Sequence, residues 1–131
     1  MNRRTLLLAG LLGTTAIIPA GGPAGADTAV TVINVSAWNC PYCVQWSNTY
    51  KAKWLASPAF RKVRYVEIES PAIKTAYREQ YWPEDLWPVI KQTSGSGTPR
   101  FLIVKDGKVV SNRFGVSAWL GTLDDLNKVI A

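Results

Sequence analysis

Both cysteines of the 131-residue chain, Cys40 and Cys43, stand three residues apart in "AWNCPYCVQW". The stretches on either side of them constrain the fold more than any other feature. Before them, "AVTVINVSA" (residues 29–37) is dense in valine and isoleucine and reads as a buried strand. After them, Cys43, Trp46, Tyr50 and Trp54 recur at i, i+3, i+7 and i+11. That spacing is one face of a helix, which runs to about Ala56 and stops at Ser57 and Pro58. The cysteines therefore sit where a strand passes into a helix.

The rest of the chain alternates in the same way. Residues 62–69, "KVRYVEIE", read as a second strand. Residues 71–82 read as a helix, with Ser70 as its N-cap and Pro71 at its first position. Pro83 closes that helix, and "PEDLWPVIKQTSGSG" reads as an irregular loop. "TPRFLIVKDGKVVSNRFG" is patterned as a β-hairpin turning at Asp106 and Gly107. The last segment is helical at least from Thr122, with Thr122 and Asp125 spaced as an N-cap and its return partner. The order β-α-β-α-β-β-α describes an α/β domain: a mixed sheet flanked by helices, with one parallel pair and an antiparallel hairpin.

The first 26 residues have a different character. Arg3 and Arg4 precede an uncharged apolar run over residues 6–18, then Pro19 and the small residues Ala24, Gly25 and Ala26. This is the layout of a cleaved export signal, and the paired arginines resemble the twin-arginine type. The expected division is residues 1–26 as signal and residues 27–131 as the domain, with a periplasmic or secreted product. Of the 15 basic residues the signal takes two, leaving 13 against 9 acids, a net charge of +4. The remaining cations are scattered, with no stripe suited to nucleic acid.

Two cysteines in an exported chain need a purpose. A structural zinc site asks for four ligands, and the chain offers two thiols and no histidine. An inert disulfide closing so short a loop would add little stability. A redox-active pair fits better. Backbone N–H groups at a helix N-terminus lack partners, and the helix dipole is positive there, so a thiolate is stabilised without imidazole. Cys40, ahead of the first turn, is expected to be exposed and nucleophilic. Cys43, heading the aromatic stripe, is expected to face inward and resolve the mixed disulfide. Pro41 suits the first helical turn.

With these motifs in hand, the chain resembles the thioredoxin-fold superfamily. The resemblance rests on strand, Cys-Pro-Tyr-Cys and helix; on "GTPRFLIVKDGKVV" about 55 residues beyond the cysteines; and on Gly115 leading into a last amphipathic helix. The short exported layout with "CPYC", "SPAF" and "GTP" is also similar to small periplasmic thioredoxins of sulfur-oxidation systems. The resemblance implies a minimal thioredoxin fold and a cis Thr98-Pro99 bond facing the cysteines. Backbone there would receive an extended substrate by strand addition. It also implies a thiol:disulfide oxidoreductase that uses no cofactor or metal beyond the Cys40–Cys43 disulfide. Its partners would be protein thiols and disulfides and a membrane-linked donor, the chain acting as a monomer and more as reductant than oxidant. A glutathione-linked, glutaredoxin-like reductase and a non-catalytic binding module are the alternatives.

Several positions depart from the family pattern or add to it. Asn39 stands directly before the first cysteine, where thioredoxins carry tryptophan, and Trp38 is one place earlier. Asn34 occupies the position of a buried aspartate, leaving water or Glu67 to replace that acid, although Glu67 reads first as a surface or edge charge. Tyr42, with Pro41, matches the glutaredoxin dipeptide. Residues 121–125, "GTLDD", faintly resemble a glutathione-binding motif but read better as a helix cap. Arg100, directly after Pro99, would favour a thiolate and acidic substrates if it reached the site, and would otherwise be solvated. The tryptophan-rich residues 81–90 serve either as an apolar rim or as a cap on the core.

Overall fold

The computed structural model describes residues 29–131; the expected export signal lies outside the described residues. Strand β1 (Val30–Ala37) enters a helix we call α1 (residues 41–55). Helix α1 is α-helical over Pro41–Trp46, widens into a π turn over Ser47–Lys51, and closes as α-helix over Ala52–Leu55. Strand β2 (Arg64–Ser70) follows, then two isolated 3-10 turns (Ile73–Thr75 and Glu79–Tyr81) and a third at Glu84–Leu86. Helix α2 (Trp87–Gln92), strands β3 (Arg100–Lys105) and β4 (Lys108–Phe114), and helix α3 (Trp119–Ile130) complete the domain.

The four strands lie in the order β2-β1-β3-β4. β1 pairs parallel with β2 and antiparallel with β3, and β3 pairs antiparallel with β4. The hairpin turns at Asp106 and Gly107, both at positive φ (52° and 82°), the geometry for which Asp-Gly is suited.

Period-2 alternation sends β1 side chains to two separate cores. Val30 and Val32 join Phe101 and Ile103 beneath α1 and α3, with Trp46, Trp54 and Trp119. Ile33 and Val35 join Leu102 and Val104 on the other face, covered by Ala76, Trp82, Leu86 and Val89. The π turn explains how α1 serves the first core. Trp46 and Trp54 are eight residues apart, which in unbroken α-helix overshoots two turns by about 80°. A turn that closes one residue later absorbs the excess. Both rings are buried and both meet Trp119 edge-on, at centroid separations of 5.1 and 5.4 Å.

Two expectations are corrected here. Residues 71–82 are not an α-helix but carry two 3-10 turns, and the Ser70 hydroxyl donates to the Ala72 carbonyl. The helix comes later, at Trp87–Gln92 within the segment read as loop, with Pro88 in its first turn. Helix α3 begins at Trp119, three residues ahead of Thr122. Thr122 is buried inside it and donates to the Ala118 carbonyl at 3.0 Å, so it is no cap. Asp125 turns outward to Ser111 and Arg113.

Candidate active site

Strand β1 is prolonged by one bond, Trp38 N–H to the Ser70 carbonyl at 2.9 Å, and then the chain turns into α1. Cys40 is the N-cap: its backbone is extended (φ −110°, ψ 101°) and its Sγ accepts the Cys43 N–H at 3.1 Å. Its carbonyl accepts from Val44 at 3.2 Å, the first turn of the helix. The sulfurs of Cys40 and Cys43 are joined in a disulfide with the Cα atoms 5.2 Å apart.

The expected exposure of Cys40 is not observed. Cys40 is 1% exposed and Cys43 7%. The two pack with Ala37, and Ile73 closes against them. Ile73 is brought there by its own N–H, which donates to Asn39 Oδ1 at 2.9 Å. Local spacing could not reveal this, because the covering residue lies 33 positions downstream of Cys40. Trp38 and Tyr42 instead form the exposed rim, at 70% and 64%.

The Thr98-Pro99 peptide bond is cis. Thr98 and Pro99 are buried and share a groove with Tyr42, Gln45, Phe114 and Val116. On the other side of the same loop, Ser96 and Gly97 share a second groove with Asn39, Ile73 and Tyr77. The approach to the proline is tight. Gly97 has φ +87°, and a Cβ there would lie 2.7 Å from the Phe114 ring, so only glycine fits.

Arg100 neither reaches the cysteines' rim nor stands in solvent. It is buried on the face opposite α1, where it organises the loop ahead of Pro99. Its Nε donates to the Tyr77 hydroxyl (3.1 Å), one terminal nitrogen to Asn112 Oδ1 (2.7 Å) and the other to the Ser96 carbonyl (2.7 Å). Tyr77 in turn donates to the Gly97 carbonyl at 2.6 Å, and Asn112 Nδ2 to the Ser94 carbonyl at 3.2 Å. The guanidinium also lies 5.2 Å from the centre of the Phe114 ring. No carboxylate pairs with it among the described residues. Three carbonyls of one loop are thus held by three side chains. Sequence reasoning singled out Arg100 but missed Tyr77 and Asn112, for which no local signal exists.

Behind Cys43, under α1, lies a polar compartment of about 210 Å3 lined in part by Asn34, Cys43, Lys51 and Glu67. Asn34 and Glu67 are register partners on β1 and β2. Glu67, on the edge strand β2, is a paired charge: it accepts from the Tyr65 hydroxyl at 2.8 Å and from Lys51 Nζ at 3.1 Å, with its side chain 18% exposed. Asn34 Nδ2 reaches the Tyr65 hydroxyl at 3.5 Å, while its Oδ1 is buried with no protein partner. Burial pushes the Tyr65 phenol well above its ordinary value.

No family model matches the chain, and no curated protein matches it. Solved structures do. Thioredoxin f from spinach chloroplast (short form) aligns with a TM-score of 0.52 at 14% identity, covering 80% of this chain and 82% of that one. Thioredoxin from Malassezia sympodialis gives 0.53 at 17% identity, covering 82% and 83%. The reduced periplasmic thioredoxin SoxS from Paracoccus pantotrophus gives 0.53 at 14% identity, covering 77% and 95%.

The chain has the thioredoxin fold.

Three local features surround the site: the Arg100 network, α2 and its preceding 3-10 turns over residues 73–92, and the Glu67–Lys51 pair near Asn34. Residues 121–125 lie inside α3, where Asp125 is already bound by Ser111 (2.6 Å) and Arg113 (2.8 Å). Of the tryptophans in the 81–90 segment, Trp82 caps the second core and its Nε1 donates to the Ala76 carbonyl at 2.8 Å. Trp87 packs at that core's edge and donates to the Glu79 and Trp82 carbonyls. They serve the core and not an apolar rim.

Proposed function

We propose that the chain is a thiol:disulfide oxidoreductase acting on protein cysteines, working outside the cytoplasm and mainly as a reductant. The observation that carries this reading is the Cys40–Cys43 disulfide at the amino end of α1, with Tyr42 and the Thr98-Pro99 loop forming one groove beside it. Such a groove suits an extended segment carrying a cysteine.

In the reduced protein, the Cys40 thiolate attacks one sulfur of a substrate disulfide. The new S–S bond forms as the substrate's own bond breaks, and the departing sulfur leaves as a thiolate that takes a proton from water. The Cys43 thiolate then attacks Cys40 Sγ, and the second substrate sulfur leaves. The substrate gains two electrons and the protein becomes the disulfide. Cys43 must lose its proton before that second attack. Asn34 has no acidic group to receive it; the Glu67 carboxylate in the compartment behind Cys43 is the acceptor that this reading assigns, through water between them. A membrane-linked thiol donor would restore the dithiol, and a monomer suffices for every step.

The test is insulin reduction by the wild type, Cys40→Ser and Cys43→Ser. Turnover should vanish in both variants, and Cys43→Ser should accumulate a mixed disulfide with substrate. A wild type with no thiol-dependent turnover would identify a binding module instead. Turnover that depends on glutathione alone would identify a glutaredoxin-like enzyme. The reduction potential, measured against glutathione, decides the direction: a value near −270 mV marks a reductant and one near −120 mV an oxidant, both approximate limits of the range.

A further inference from the structure

The largely apolar cavity of about 460 Å3 on this molecule lies away from the cysteines, between the second half of α1, residues 57–62 and α3. Its walls are Tyr50, Trp54, Trp119, Leu123 and Ile130, with Leu120 half exposed at the mouth. Pockets that take small organic ligands span roughly 300–1,000 Å3 and combine an apolar lining with a few polar groups. Here the charged groups have one sign. Lys53 and Lys62 both line the cavity, and no acid does. Neither lysine is in an ion pair among the described residues. Trp54, 2% exposed, adds an indole N–H that is buried with no protein acceptor.

We infer that this cavity is a second ligand site, taking a small amphipathic organic anion whose apolar body lies against Tyr50, Leu120, Leu123 and Ile130 and whose carboxylate meets Lys53 and Lys62. An uncharged ligand would gain nothing from the two exposed lysines, and a wholly polar anion would gain nothing from the apolar lining. A monocarboxylate with a medium-length chain satisfies both. None of the lining residues is a cysteine or belongs to the Thr98-Pro99 loop; Tyr50 alone is shared with the groove beside that loop.

The experiment is titration of the full chain with decanoate and, separately, with decanol, read by calorimetry. Quenching of tryptophan fluorescence by 2-bromodecanoate is a second readout, since Trp54 and Trp119 are in the wall. Saturable binding of decanoate is expected, stronger than decanol. Lys53→Gln with Lys62→Gln should weaken decanoate roughly threefold to tenfold, the range of one or two partly exposed ion pairs, and leave decanol unchanged. Leu123→Trp should fill the cavity and abolish both. Leu120→Asp, at an exposed position and so safe for folding, should weaken decanoate alone by placing a like charge at the mouth. Cys40→Ser should bind as the wild type does, whatever its effect on insulin reduction. Absence of saturable binding would overturn the inference, as would decanoate affinity insensitive to both the lysine pair and Leu120→Asp.

Discussion

One face of the sheet lies under α1 and α3, where Trp46, Trp54, Phe101 and Trp119 pack with ring centroids 4.9–5.6 Å apart, the tryptophan pairs edge to face and the pairs with Phe101 tilted. The other face is covered by residues 71–97, which hold only one short α-helix. Helices satisfy their own backbone, so the first cover needs only apolar contact. The second cover has carbonyls left over, and buried carbonyls must find donors. It finds them in side chains: Trp82 for Ala76, Trp87 for Glu79, Tyr77 for Gly97, Arg100 for Ser96 and Asn112 for Ser94. One face is held by packing, the other by named polar anchors. The redox loop and the loop into Pro99 meet at the end of the second.

The largest test of this contrast is Trp46→Ala. It should cost about 3–5 kcal/mol in urea unfolding, because it opens a cavity in the packed face. A loss under about 1 kcal/mol would mean that the aromatic cluster does not hold that face. Next is Arg100→Met, which keeps volume but removes the donor from three part-buried hydrogen bonds. We expect a loss of roughly 2–3 kcal/mol, with amide exchange faster at residues 94–98 than at β1. Uniform exchange would show that the anchors hold the whole domain and not one cover.

The pH dependence samples both faces through one tyrosine each. Burial raises Tyr65 and Tyr77 above the ordinary 10.0, and Arg100 partly offsets the rise at Tyr77. Above about pH 10 the unfolded chain sheds these protons while the folded chain keeps them. Stability should therefore fall with rising pH, by at most about 1.4 kcal/mol per pH unit for each phenol, and less for the more exposed Tyr77. Tyr65→Phe should flatten the alkaline limb more than Tyr77→Phe does; the reverse order would contradict the burial seen here. The smallest effect concerns the join between cover and cysteines. Ile73→Ala should speed reduction of the Cys40–Cys43 disulfide by dithiothreitol roughly threefold to tenfold, under about 1.4 kcal/mol of barrier. An unchanged rate would mean that Ile73 is not what shields Cys40.

The same contrast explains what could be read from the amino acids. β1, α1 and the Asp106–Gly107 hairpin were legible because period and turn chemistry are local signals. So was the strand-to-helix position of Cys40 and Cys43. The second cover was not. Ser70, Pro71 and the run after them mimic a helix start, yet Tyr77 and Trp82 are drawn to distant carbonyls, and the segment breaks into 3-10 turns. Thr122 was misread for a related reason: a hydroxyl that donates back to Ala118 inside a helix has the same sequence spacing as one that caps it. The burial of Cys40 and of Arg100 depends on partners 12 to 33 positions away, at Asn112, Tyr77 and Ile73, which no window on the sequence joins.

The wide turn at Ser47–Lys51 bears on which length variants of this domain can exist. A chain lacking one of those five residues could run as plain α-helix, with Trp46 and Trp54 seven apart and within about 20° of the same direction. The tryptophans would keep their places. If the residue lost is Lys51 itself, the pair with Glu67 goes with it, so that indel edits the charge behind Cys43 while sparing the aromatic stack.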